Sequence, residues 1–202
     1  MRKSRLEAFS DGVLAIIITI MVLEIKVPHG NEPSSLKPLF PVFVSYLLSF
    51  INIGIYWNNH HHMLHIADHI SGKVMWNNMH LLFWLSLVPF ATGWMGENHF
   101  TTWPVALYGM ILLLSGVAYY FLARSLVSIH GKNSGLAIAI GNDRKGIISL
   151  YIYMLGIGLC FFNSFLGFSM YVLVAAIWFI PDRRIEKNID QPAKDNPKAE
   201  DQ

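Results

Sequence analysis

The chain has 202 residues, of which 53% are hydrophobic and 14% carry charge, with a formal net charge of +2. A soluble domain carries about 25% charged residues, so this composition speaks against a water-soluble globule. The small net charge, with no basic stripe set among aromatics, speaks against a nucleic-acid partner.

The charges gather at the ends and in short stretches between long apolar runs. The fold class this implies is all-α, a polytopic membrane protein with six transmembrane helices, because each crossing of a bilayer takes roughly 20 apolar residues. The first helix is expected from about Arg5 to Ile25. It is read as a retained helix and not a cleaved leader: Asp11 would interrupt an export signal, and no small-x-small site follows it. A polar, proline-bearing stretch covers Lys26 to Pro38. The second helix is expected from Leu39 to His65 and the third from Val74 to Met95, joined by a link holding Asp68, Gly72 and Lys73. After a tight turn at Gly96-Glu97-Asn98-His99, the fourth runs from Thr102 to Val127. A polar loop covers Ser128 to Lys145.

The last apolar block, Gly146 to Ile180, is too long for one span, and splitting it at Asn163-Ser164 gives two short helices. Pro181-Asp182-Arg183-Arg184 stops the sixth. The expected organisation is a membrane domain over residues 1–182 and a disordered, charged tail over 183–202. With a cytoplasmic N-terminus, only Lys26 and Lys37 of the 15 lysines and arginines fall outside the cell. This positive-inside bias needs an even number of spans and puts both termini in the cytoplasm of a cell-membrane protein.

Chemistry-bearing residues are few. Cys160 stands alone in an apolar run, so it forms no intramolecular disulfide or thiolate metal site and reads as a packing residue. No catalytic triad, paired carboxylates or phosphate-binding glycine loop is present, so neither an enzyme nor a cofactor is expected. Arg5, Ser10 and Asp11 lie at the start of the first helix. Arg5 and Asp11 are six residues apart and occupy different faces, so each needs a partner on another helix or subunit. Ile16, Thr19, Ile20 and Leu23 recur at spacings of three and four and share one face, extended by Phe9 and Gly12. Such a stripe packs against neighbours, faces lipid or lines a pore.

A second polar cluster is Trp57-Asn58-Asn59-His60-His61-His62, followed by His65 and His69. His61, His65 and His69 have the four-residue spacing of metal ligands on one helix face. That admits an alternative reading, a metal-ion carrier or secondary transporter. Asn77, Asn78 and His80 open the third helix on the same side of the membrane, so polar groups of three helices converge there and must satisfy one another.

Arg5-Leu6-Glu7-Ala8-Phe9-Ser10-Asp11-Gly12 carries the pattern R-x-x-x-F-S-D. It resembles the signature of the transmembrane protein 175 family, potassium channels of endosomes and lysosomes with prokaryotic relatives. Tyr56-Trp57-Asn58-Asn59-His60-His61 is similar to the family's second-helix end. Asn78 and Leu87-Val88-Pro89-Phe90 are similar to its third helix. The resemblance covers about residues 1–180. It implies a modestly selective potassium channel with K+ as the permeant ion and the first helix of each subunit lining the pore. Ile16, Thr19, Ile20 and Leu23 would face the ion path. Arg5, Phe9, Ser10, Asp11, Trp57, His60 or His61, and Asn78 would form the supporting network. A pore lined by a single copy of the motif needs several subunits around an axis, and the resemblance to single-repeat prokaryotic members implies a homotetramer in the lipid bilayer.

Overall fold

A computed structural model describes residues 3–131, 134, 137 and 143–179. The expected tail over 183–202, and the end of the sixth helix at Ile180 and Pro181, lie outside the described residues.

The described residues form an all-helical bundle. Its helices are α1 (Lys3–Leu23), α2 (Phe40–Ile66), α3 (Gly72–Ser86), α4 (Val88–Glu97), α5 (Thr102–His130), α6 (Arg144–Cys160) and α7 (Ser164–Phe179). A 3-10 helix, Pro33–Leu39, leads into α2. Because α3 and α4 are two parts of one interrupted span, these helices make six spans. Four spans are long and apolar enough to cross a membrane by length and composition: Lys3–Leu23, Pro33–Ile66, Gly72–Glu97 and Thr102–His130. The last two helices have 17 and 16 residues, which at 1.5 Å per residue is about 24–26 Å.

The third span differs from expectation. It breaks at Leu87, the residue between α3 and α4. Pro89 has no N–H to continue the ladder, and its ring crowds the preceding turn, so the helix reforms with Pro89 in the new first turn. The polar start of α3 is capped by the Ser71 hydroxyl, which accepts from the Val74 N–H at 3.3 Å.

α5 is the central helix and packs against α3, α4, α6 and α7. α1 lies at one edge of the bundle, against α2, α3 and α4. The turn from α4 to α5 places His99 and Phe100 at positive φ, 51° and 58°, a left-handed conformation that costs non-glycine residues energy. Packing holds it: the Phe100 ring sits 4.8 Å from Phe168 and 6.1 Å from Phe165, centroid to centroid. Lys26, beyond α1, pairs with Glu97 at the end of α4 at 2.6 Å. Hydrogen bonding to that carboxylate raises the Lys26 pKa above its ordinary value.

α6 and α7 form a hairpin through Phe161-Phe162-Asn163, and Asn163 Oδ1 caps α7 by accepting from the Phe165 N–H at 2.9 Å. Their approach depends on glycine. A Cβ on Gly167 would collide with Cys160 Sγ and lie 2.7 Å from the Gly156 carbonyl oxygen. Cys160 is buried in this seam.

Gly109 of α5 lies flush against the Tyr171 phenol, and a Cβ there would overlap the ring and hydroxyl. Gly109→Ala should therefore cost about 1–3 kcal/mol of overpacking, read as a lower melting temperature of the detergent-solubilised protein, whereas Gly158→Ala, with open space around it, should leave it unchanged.

Candidate functional site

The two sides of α1 differ sharply. Leu6, Ser10, Leu14, Ile17 and Met21 are buried against the bundle, at the four- and three-residue spacings of one helix face. The face bearing Phe9, Ile16, Thr19, Ile20 and Leu23 is uncovered: Ile16 is 59% exposed and Leu23 74%. The exposed Thr19 hydroxyl donates to the Ala15 carbonyl at 2.9 Å, which leaves its oxygen lone pairs free to accept. A groove of about 540 Å³ runs beside this face, lined by Ile16, Ile20 and Glu24 with Phe90, Gly93 and Trp94 of α4.

What fixes this rotation of α1 is a buried polar chain across three helices. Asn78 of α3 donates from Nδ2 to the Ser10 hydroxyl of α1 at 2.9 Å. Ser10 donates in turn to the Leu6 carbonyl at 2.9 Å. His60 Nε2 of α2 lies 2.7 Å from Asn78 Oδ1. Ser10, His60 and Asn78 are all buried. Proton accounting sets the directions. The Ser10 proton is committed to Leu6, so Asn78 must present its NH2 to Ser10 and its oxygen to His60, and His60 must carry its proton on Nε2.

Two further contacts tie α1 to α2. Trp57 Nε1 donates to Asp11 Oδ1 at 3.1 Å. Lys3 Nζ donates to the His65 carbonyl at 2.7 Å.

The candidate residues thus divide into two groups. Ser10, His60 and Asn78 come together in one chain, and Asp11 and Trp57 meet beside it. His61 does not join. It is exposed and stacks between Trp57 and His65, with centroids 6.1 and 6.0 Å away. Of the run of three histidines, it is therefore His60 that turns inward. Arg5 is exposed and makes no ion pair among the described residues, and Phe9 lies on the uncovered face.

The expected histidine face does not form. α2 ends at Ile66 and Ala67 is extended, so His69 leaves the helix and stacks on His130 at 6.2 Å. Among the described residues no group of three or more His, Cys, Asp or Glu is placed to hold a metal ion. Contacts that sequence reasoning missed include the Ser49 hydroxyl, which lies 2.6 Å from that of Thr92 and 3.0 Å from that of Tyr108. This cluster joins α2, α4 and α5, and its signal was a threonine and a serine set within apolar runs.

A bundle of apolar spans, with its edge helix held by a buried polar chain and its outer stripe uncovered, defines a polytopic membrane protein. Residues 5–89 match the family model described as endosomal/lysosomal potassium channel TMEM175. A potassium channel of Chryseobacterium sp. (strain P1-3) is 52% identical over 191 residues, covering 95% of this chain and all of that protein. The crystal structure of a lysosomal potassium-selective channel TMEM175 homolog from Chamaesiphon minutus superposes with a TM-score of 0.77. It is 28% identical and covers 90% of this chain and 97% of that one. The human endosomal/lysosomal proton channel TMEM175 is 33% identical over 94 residues, 40% of this chain and 19% of that protein. The chain belongs to the TMEM175 family.

Removing one member of the buried chain strands the others, at about 1–3 kcal/mol for each unpaired group. His60→Leu should therefore lower the melting temperature markedly. His60→Gln, which restores an N–H toward Asn78, should recover most of the loss. Equal melting of the two variants would show that the His60–Asn78 hydrogen bond is not a support.

Proposed function

We propose that the chain is one subunit of a passive potassium channel in the cell membrane, with both termini cytoplasmic. Four copies assemble around an axis, and α1 of each lines the ion path. The observation that carries this reading is the bare stripe of Ile16, Thr19, Ile20 and Leu23 on a helix whose opposite face is locked into the bundle. A single helix cannot enclose a pore, so the stripe acquires its function through symmetric copies. The relatives named as potassium channels supply the ion.

Ile16 forms the tightest ring, with Thr19 and then Leu23 beyond it. An apolar neck of this kind conducts or closes according to whether water fills it. It offers K+ no carboxylate or carbonyl cage, so selectivity over sodium is modest, and Thr19 is the residue of the stripe whose side chain presents oxygen. Ser10, Asn78, His60, Asp11 and Trp57 do not touch the ion. They hold α1 at the rotation that points the stripe at the axis. Nothing in this arrangement is catalytic, in keeping with a family described as ion channels.

The test is a reversal potential across a planar bilayer containing the purified protein, with potassium on one side and sodium on the other. A potential displaced toward the potassium equilibrium, with steady passive current, is expected. No current at any voltage would contradict the channel reading. Ile16→Asn should wet the neck and move the reversal potential toward zero as sodium permeability rises. An unaltered potential and conductance would remove Ile16 from the constriction.

A further inference from the structure

Away from α1, helices α2, α5, α6 and α7 leave a cavity of about 50 Å³ between them. Asn52, Tyr56 and Asn59 of α2, Tyr119 of α5, and Ser149 and Tyr153 of α6 contribute to its wall. It also reaches Asp143 and Gly146, where α6 begins. Tyr153 lies seven residues beyond Gly146, about 10 Å further along α6 at 1.5 Å per residue.

Several of its polar groups already have partners. Tyr119 donates to the Asn59 carbonyl at 3.4 Å. Ser149 donates to the Lys145 carbonyl and accepts from Trp178 Nε1, both at 2.8 Å. The side-chain amides of Asn52 and Asn59 donate to the Leu48 and Ile55 carbonyls at 3.0 and 2.8 Å. Four groups remain without a hydrogen-bond partner among the described residues: the hydroxyls of Tyr56 and Tyr153, and the amide oxygens of Asn52 and Asn59. Tyr153 is only 4% exposed. Every described buried side-chain nitrogen or oxygen that is sealed from water-sized contents has a partner, so the unpartnered Tyr153 hydroxyl opens onto free volume.

We propose that this cavity is a binding site for a small cluster of ordered waters, hydrogen-bonded to Tyr56, Tyr153, Asn52 and Asn59. A buried water needs about 10–15 Å³ and two to four polar partners, so the volume holds about three to five. Two phenols that donate and two amide oxygens that accept match the capacity of water. A lipid chain would strand all four groups in hydrocarbon. A cation would find few anionic ligands, because Asp143 is the single carboxylate among the described residues of the wall and its Oδ1 already accepts from the Gly146 N–H at 2.8 Å.

The cluster ends blindly. Asn52 Nδ2 lies 3.5 Å from the Tyr108 hydroxyl, Tyr108 lies 3.0 Å from Ser49, and Ser49 lies 2.6 Å from Thr92. Thr92 donates to the Val88 carbonyl at 2.7 Å. The waters therefore bridge α2 to α6 and continue into the Tyr108–Ser49–Thr92 cluster, which closes on backbone. They serve as a structural joint and not as a second conduit.

X-ray radiolytic footprinting of the full chain in lipid nanodiscs tests this, because radicals generated from bound water mark the side chains beside it. Tyr153 should be labelled several-fold faster than Tyr171, which is buried with its hydroxyl 3.5 Å from Cys160 Sγ. Tyr153→Phe should then lower the melting temperature, because it leaves the cluster a partner short. In a dry cavity the same substitution removes a stranded hydroxyl and raises the melting temperature. Labelling of Tyr153 no faster than that of Tyr171, or a Tyr153→Phe variant that melts higher, would overturn the proposal.

Discussion

The hydrocarbon of a bilayer offers no water to a stray polar group, so each must find its partner inside the protein, on a side chain, on backbone or on an enclosed water. That constraint makes the Asn78 amide the hinge of this structure. One side chain on α3 gives its NH2 to Ser10 of α1 and its oxygen to His60 of α2. Because the Ser10 proton goes to the Leu6 carbonyl, these directions pair all three side chains at once and tie the rotation of α1 to α2 and α3. The rest follows from helical geometry: burying Ser10 also buries Leu6, Leu14, Ile17 and Met21, and it turns Ile16, Thr19, Ile20 and Leu23 outward.

Burial of apolar area supplies little drive for association among helices already dissolved in lipid, so close packing and interhelical hydrogen bonds take its place. The other half of the bundle uses close packing. Gly156 and Gly167 let α6 and α7 approach until Cys160 fills the seam, and Gly109 lets α5 accept the Tyr171 ring. The central helix α5 is thus anchored on both sides, by glycine-mediated contact with α7 and by Tyr108 in the Ser49–Thr92 cluster. α1 is held by the polar chain, one apolar face and the Trp57–Asp11 and Lys3–His65 contacts with α2. It is the bundle's edge, and its outer stripe is uncovered by the rest of the chain.

Much of this architecture was legible in the amino-acid sequence because membrane thickness is a strict ruler. The charge deficit, the positive-inside bias and the excessive length of Gly146–Ile180 give the six spans, and Asn163-Ser164 marks the last turn. The break at Leu87 was signalled by Pro89 but was masked by the apolar run around it. The inward-facing member of His60-His61-His62 was not legible, because consecutive residues differ by about 100° around a helix and the rotation of α2 is set by packing. The His61/His65/His69 face failed for another reason: spacing assumes a continuous helix, and α2 stops at Ile66. Arg5 carries a strong family motif, yet its side chain lies outside the buried chain within one subunit. Its neighbours are therefore not readable from local spacing.

The claim on which the account rests is that the polar chain aims one named stripe of α1 at the ion path. Cysteine substitution along α1, with current recorded before and after a water-soluble thiol reagent, tests it most directly, since the native Cys160 is buried. Thr19→Cys and Leu23→Cys should lose current on modification, while Ile17→Cys and Met21→Cys, on the buried face, should not respond. Block at Ile17 and Met21, with Thr19 and Leu23 silent, would place the opposite face of the helix on the path and contradict the account.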